Sequence, residues 1–71
     1  MKYRYFAFSS LTYAYKGKDA LDNADIRSKI IRLSGAETAK GCRYGIEVRD
    51  GEYGAAEREL YRSRIPFTVP L

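Results

Sequence analysis

Strand-like and helix-like segments alternate along this chain of 71 residues, and their order limits the folds that the chain can adopt. The first segment, KYRYFAF, is rich in aromatic residues and partly alternates between polar and apolar residues, which is typical of a strand. Leu11, Ala14 and Leu21 follow at the spacing of one helix face. We therefore predict a first strand over residues 2–8 and a first helix over residues 11–23.

The remaining segments continue this alternation. SKIIRL and RYGIEV have the apolar content of strands, and a polar stretch with two glycines separates them. Tyr53, Ala56 and Leu60 recur at helical spacing as an inward face, and Pro66 prevents this helix from continuing. We predict, in order, a strand over residues 28–33, a strand over 43–48, a helix over 52–63 and a short strand over 67–69.

The predicted order, β-α-β-β-α-β, is that of the ferredoxin-like sandwich, an α+β fold. We therefore predict a single domain over residues 1–71, in which a four-stranded antiparallel sheet carries two helices on one face. Alternation along the strands would place Tyr3 and Tyr5 on the opposite, open face together with Ile30 and Arg32. A chain this short buries only about 60 % of its unfolded surface, so forming a homodimer through that face would help to stabilise it.

The chain contains one cysteine and no histidine, which excludes most catalytic and metal-binding arrangements. A Ser-His-Asp triad, a Cys-His dyad and most zinc sites need a histidine, and the carboxylates show no spacing that would pair them. We therefore expect no conventional enzyme, no metal and no cofactor. One cysteine allows no internal disulfide, and no apolar run is long enough for a signal peptide or a membrane span. We therefore expect a cytoplasmic protein with no membrane partner.

The directions of the predicted strands would bring Cys42 to the rim of the sheet where the first helix begins. The supporting residues at that rim would be Ser9, Ser10, Lys40, Gly41 and Arg43. A helix N-terminus and nearby cations favour the thiolate form of cysteine, and the glycine would leave the approach to the sulfur open. Cys42 also shares the parity of Tyr44 and Ile46 on the inward face, so an inert, buried thiol is the alternative.

Through these segments the chain resembles the selenium/sulfur carrier-like family of small, largely uncharacterised bacterial proteins. The likeness covers nearly the whole chain and is carried by YFAFSSLTYAYKGKDAL and KIIRLSGAETAKGCRYGIEV. Members commonly have a glycine directly after the cysteine and a proline in the loop before it, whereas Arg43 follows Cys42 here and residues 34–41 contain no proline. The resemblance implies that Cys42 accepts sulfur or selenium, as a persulfide or a selenosulfide, and passes it to a sulfur- or selenium-handling partner protein.

Two further classes of function stay open. A non-catalytic interaction module would bind a second copy of the chain or another protein through Tyr3, Tyr5 and Arg32 on the open face. RNA-recognition motifs share the predicted topology and stack bases on that face, and the net charge of +4 suits an anionic partner. KGCRYGIE, however, matches their third-strand motif only in part, and the parity of its tyrosine, Tyr44, points that ring toward the helices. Nucleic acid is therefore the less favoured partner.

Overall fold

The computed structural model of this protein describes residues 2–33 and 43–69. Strand β1 spans Tyr3–Phe8, helix α1 spans Leu11–Asn23, strand β2 spans Lys29–Arg32, strand β3 spans Tyr44–Arg49 and helix α2 spans Tyr53–Arg62. One turn of 3-10 helix, Asp50–Glu52, joins β3 to α2. Neither helix in the described ranges is long and apolar enough to cross a membrane.

Helix α1 has the bounds that the sequence predicted, and local signals account for both of its ends. The Ser10 hydroxyl accepts a hydrogen bond of 3.2 Å from the Tyr13 backbone N–H, which satisfies one of the free donors of the first turn. At the other end, the Ile26 N–H donates to the Leu21 carbonyl at 2.9 Å, and Asp25 adopts a left-handed φ of 61°. The chain therefore turns sharply out of α1 toward β2.

Strand β3 lies in the centre of the sheet and pairs antiparallel with β1 on one side and with β2 on the other. The described residues form a three-stranded sheet, so the prediction of a four-stranded, ferredoxin-like sheet is wrong. The predicted strand over 67–69 is reduced to one bridge, in which Ala7 and Thr68 exchange two backbone hydrogen bonds of 2.8 Å. In an antiparallel ladder the next bonded position lies two residues away, and on the N-terminal side of Thr68 this is Pro66. Proline has no N–H to donate, so the ladder does not continue on that side of the bridge.

Both helices pack on the same face of the sheet, and the core lies between these two layers. The largest fully buried side chains are Phe6, Phe8, Leu21, Ile46, Val48 and Leu60. Tyr53, Ala56 and Leu60 are all buried, which confirms the inward face that helical spacing predicted for α2. The sheet therefore has one face under the helices and one that no described helix covers.

Aromatic rings extend the core toward the N-terminus of α2. Phe6 stacks on Tyr53 with ring centroids 4.5 Å apart and meets Phe67 edge-on at 5.1 Å. The Arg4 guanidinium lies 3.7 Å from the centre of the Tyr53 ring, which is a cation–π contact. Burial raises the pKa of the Tyr53 hydroxyl, and the nearby Arg4 charge opposes part of that rise. The buried hydroxyl has no hydrogen-bond partner among the described residues, so packing and the cation–π contact hold this ring in place.

Candidate functional site

The face of the sheet that points away from both helices is the open face, and the strand register determines which residues belong to it. Its members are Tyr3, Tyr5 and Ala7 from β1, Lys29 and Ile31 from β2, and Gly45, Glu47 and Arg49 from β3. Directly paired residues lie side by side on the same face. One row therefore crosses the sheet through Tyr5, Glu47 and Lys29. As predicted, both tyrosines of β1 lie on this face.

The open face is apolar at the end where β1 and β2 finish. Ala7 is 2 % exposed and Leu33, just after β2, is 6 % exposed, and Tyr5 and Ile31 pack against them. Gly45 makes room for this packing, because a Cβ on it would lie 3.3 Å from both Ile31 Cγ1 and Leu33 Cδ1. Since these side chains already cover one another, this end of the open face offers little apolar area to a partner.

The two faces of β2 are the reverse of those predicted from the sequence. The side chains that were predicted to face the helices lie on the open face. Ile30 pairs with Ile46, and Arg32 pairs with Tyr44, so Ile30 and Arg32 lie on the face that carries the helices. Contrary to the prediction, Arg32 therefore does not join the two tyrosines of β1. Two isoleucines stand next to each other in this strand, so alternation of polarity does not determine which of them faces the core, and the register with β3 decides it.

A groove of about 440 Å³ lies at the other end of the open face, and we call it the basic groove. Its lining residues are Tyr3, Arg27, Ser28, Lys29, Glu47, Val48 and Arg49. Three of these side chains are cationic and one is anionic, which gives the groove a net charge of +2 at neutral pH. Tyr3 has 54 % of its surface exposed, so an aromatic ring is accessible beside the cations.

Arg27 and Arg49 line both the basic groove and a larger hollow of about 900 Å³ beside it. The lining residues of the hollow are Lys2, Asp25, Arg27, Arg49, Asp50, Gly51 and Glu52, so its cations and carboxylates are equal in number. Asp50 pairs with Arg4 at 3.8 Å. Neither Arg27 nor Arg49 forms a side-chain hydrogen bond or an ion pair with any described residue. Both guanidinium groups are therefore available to a ligand of the opposite charge.

The segment that brings Arg27 and Lys29 to the basic groove is tied to helix α1. The Lys18 ammonium group donates a hydrogen bond of 3.2 Å to the Ser28 backbone carbonyl. Ile26, which directly precedes Arg27, is buried in the core. Together with the pairing of β2 and β3, these contacts hold the backbone of the groove in place before any ligand binds, which lowers the entropic cost of binding.

The residues predicted to support a sulfur site lie only partly within the described ranges. Lys40, Gly41 and Cys42 lie outside the described residues. Of the two serines predicted at this rim, Ser10 caps α1, and Ser9 is exposed next to it. The first turn of α1 contains no acidic residue, so no carboxylate in that turn offsets the partial positive charge of the helix N-terminus.

Arg43 lies at the rim of the sheet where β1 ends and α1 begins. Phe8, the last residue of β1, pairs with Tyr44, which follows Arg43 in the chain. The Arg43 carbonyl accepts a hydrogen bond of 2.8 Å from the Leu33 N–H, so the end of β2 reaches the same rim. An exposed cation and a helix N-terminus therefore share this rim.

Sequence reasoning missed Arg27, Lys29 and Arg49 as site residues. The predicted third strand ends at Val48, whereas β3 continues to Arg49 and pairs it with Tyr3. Extending the predicted strand by one residue would have placed Arg49 on the same face as Glu47. Arg27 precedes β2 and carries no local signal, so only the pairing of β2 with β3 places it in the same groove.

No protein-family model, curated protein or solved structure matches the chain. The resemblance to the selenium/sulfur carrier-like family therefore stays a prediction that rests on the two quoted segments.

Proposed function

We propose that this protein is a non-catalytic interaction module that binds an anionic partner through the open face of its sheet. The observation that carries the proposal is the basic groove, where Arg27 and Arg49 have no ion pair with any described residue and lie near an exposed Tyr3. Arginine presents its donors in a rigid planar fork that suits carboxylate and phosphate oxygens. Neither guanidinium must first leave an ion pair with a described residue, so an anion of the partner can bind it directly.

Charge favours an anionic partner over a second copy of the chain. Two copies that met through their basic grooves would oppose two surfaces of net charge +2, which would repel each other. Contact through the apolar end would bury little further apolar area, because Ala7 and Leu33 are already buried. The net charge of +4 also attracts anions over a longer range. A homodimer through the open face is therefore the weaker alternative.

The proposal predicts that the two groove arginines dominate binding to a polyanion that has no bases. Heparin is a suitable probe, and the R27A/R49A double variant is expected to bind it at least about tenfold more weakly than the unmodified protein. The physical reason is that losing one charge-assisted hydrogen bond costs roughly 1.5 to 3 kcal/mol. Isothermal titration at low salt measures the affinity, and circular dichroism checks that the variant is folded.

The matched control is the R58A/R62A double variant, which removes the same charge from the exposed surface of α2. Its affinity for heparin is expected to change much less, since neither residue lines the basic groove. Equal losses in the two double variants would mean that binding follows net charge alone, and that result would contradict a site on the open face.

Transfer of sulfur or selenium through Cys42 is a second candidate function, and it rests on the family resemblance. The observation in its favour is the rim that Arg43 shares with the N-terminus of α1, because both features stabilise a thiolate. The Cys42 thiolate would attack the terminal sulfur of a donor persulfide, form a new S–S bond and release the donor as a thiolate. A reducing cytoplasm would keep a single cysteine free for this exchange.

The carrier hypothesis predicts that iodoacetamide alkylates Cys42 rapidly at neutral pH, with a rate profile whose midpoint lies below the usual value of about 8.5. The rate as a function of pH tests this expectation. Arg43→Gln is expected to move the midpoint upward because it removes a cation, whereas Arg58→Gln on α2 serves as the control. A folded protein whose midpoint equals that of the urea-unfolded chain, or whose thiol does not react, would contradict the carrier function.

A further inference from the structure

We propose that the anionic partner of the open face is a single-stranded nucleic acid, with its phosphates on the cations of the basic groove and a base stacked on Tyr3. This inference rests on the proposed function, because it names the class of partner that the groove would bind. It follows from the exposed ring of Tyr3, which lies beside cations that form no ion pair with any described residue.

The stacking surface is the exposed ring of Tyr3 on β1. Tyr3 pairs directly with Arg49 across the sheet, so the ring and a guanidinium lie side by side on the open face. Tyr5 lies on the same face about 7 Å further along the strand, which is two residue steps. Every base has a flat π-surface, so rings on an open sheet bind unpaired bases with little dependence on sequence. Tyr44, the tyrosine of KGCRYGIE, is on the helix-bearing face, so the stacking residue is Tyr3.

The phosphate contacts are the cations that line the groove next to Tyr3. Arg27, Lys29 and Arg49 come from two strands and the segment before β2, so they extend across the sheet from the tyrosine. Arginine and lysine on such a path bind successive phosphates and carry most of the affinity for nucleic acid, independently of base sequence. A strand that crosses the sheet from Tyr3 toward β2 would meet the two arginines, with Lys29 one row away.

The carboxylates near the groove limit the path of the strand. Glu47 pairs with Tyr5, in the row next to that of Tyr3 and Arg49 on the open face. Its carboxylate would repel a phosphate placed in its own row. Asp25, Asp50 and Glu52 line the hollow on the far side of the two arginines. The favourable path for a chain of phosphates therefore stays close to the row of Tyr3 and Arg49.

A single strand fits this surface better than a duplex or an acidic peptide. Stacking on Tyr3 needs an unpaired base, whereas a duplex keeps its bases inside the helix. An acidic peptide would use the arginines, but it has no planar bases to cover the accessible ring of Tyr3. The two alternatives therefore differ from the proposal in their dependence on Tyr3, which an experiment can measure.

The test is fluorescence anisotropy at low salt with a labelled single strand of about ten nucleotides, which is within the usual site size. The unmodified protein is expected to bind this strand more tightly than the duplex of the same sequence or an abasic strand of the same length. Tyr3→Ala is expected to weaken binding about tenfold, and Tyr3→Phe is expected to retain it because the ring remains. Tyr15→Ala, which removes a tyrosine that is 59 % exposed on α1, is the matched control.

Salt dependence tests the phosphate contacts separately. Removing Arg27 and Arg49 together is expected to reduce the slope of log affinity against log salt concentration by about 1.4, which corresponds to two lost contacts with a single strand. The R58A/R62A control is expected to leave the slope nearly unchanged.

The outcomes separate this inference from the proposed function. If heparin binding depends on the two arginines but Tyr3→Ala leaves the anisotropy titration unchanged, the nucleic-acid inference is overturned while anion binding by the open face stands. An abasic strand or a polyglutamate peptide that binds as tightly as the natural strand overturns it in the same way. If neither heparin nor the strand responds to the loss of the arginines, both proposals fail together.

Discussion

Replacing Phe6 with alanine is expected to lower the free energy of unfolding by about 3 to 5 kcal/mol, because the truncation leaves a cavity in the centre of the core. Phe6 is fully buried, stacks on Tyr53 and meets Phe67 edge-on, so both rings lose a partner. A small domain has a total stability near the lower end of about 5 to 15 kcal/mol, so this loss removes most of it. Urea denaturation followed by circular dichroism measures the change.

Two variants serve as controls for this prediction. Phe6→Leu retains part of the buried volume and is expected to lose less, about 1 to 2 kcal/mol. Tyr3→Ala removes an aromatic ring from the same strand but from the open face, so we expect a change within about 0.5 kcal/mol. Equal urea midpoints for Phe6→Ala and Tyr3→Ala would show that the two faces of β1 are not buried as described.

Replacing Gly17 with leucine is expected to destabilise the protein by about 3 kcal/mol, since α1 lies too close to the sheet for a side chain there. Even a Cβ at this position would be 2.9 Å from Ile46 Cδ1, 3.1 Å from Phe8 Cζ and 3.3 Å from Leu60 Cδ2. The better helix propensity of leucine offsets only about 1 kcal/mol of this strain. Thermal unfolding and urea denaturation both report the loss.

Gly54 in α2 provides the matched control, because no heavy atom lies within 4 Å of a Cβ built there. Gly54→Leu is expected to stabilise the protein by up to about 1 kcal/mol through helix propensity alone. The two substitutions are chemically identical, so opposite signs isolate the contribution of packing. If Gly17→Leu also stabilised the protein, α1 could not approach the sheet as closely as these distances require.

The helices were predictable because their signals are local. Ser10 stands one residue before α1 and caps it, and the apolar spacing within thirteen residues defines its buried face. The inward face of α2 was predicted in the same way. Capping and amphipathic periodicity act between residues that are close in the chain, so a single sequence contains the information needed to recognise them.

The last strand shows why the strand count was not predictable in the same way. Residues 67–69 have a strand-like composition, but a strand exists only where a partner's ladder can bond to it. Pro66 removes the donor on the N-terminal side of Thr68, and the described residues of this segment form only a bridge to Ala7. Pro66 is visible in the sequence, although its effect depends on which residue of this segment bonds to β1.

The candidate site depended on pairing over a longer range. Tyr3 and Tyr5 were placed on the open face from the alternation within β1 alone, and the register confirms that placement. Arg32 was placed there too, whereas the pairing of β2 with β3 turns it to the other face. The same pairing brings Arg27 into the groove that Arg49 lines.

The sequence by itself determined both helices and the faces of β1 and β3, because each follows from residue type or from spacing over a few residues. The tertiary structure alone decided the number of strands, the face of β2 and the assembly of the basic groove. The physical reason is that a shift of one residue in strand register moves every side chain of a strand to the other face. That register is set by contacts between segments far apart in the chain, so whether Arg32 or Lys29 belongs to the binding surface becomes clear only after the sheet has formed.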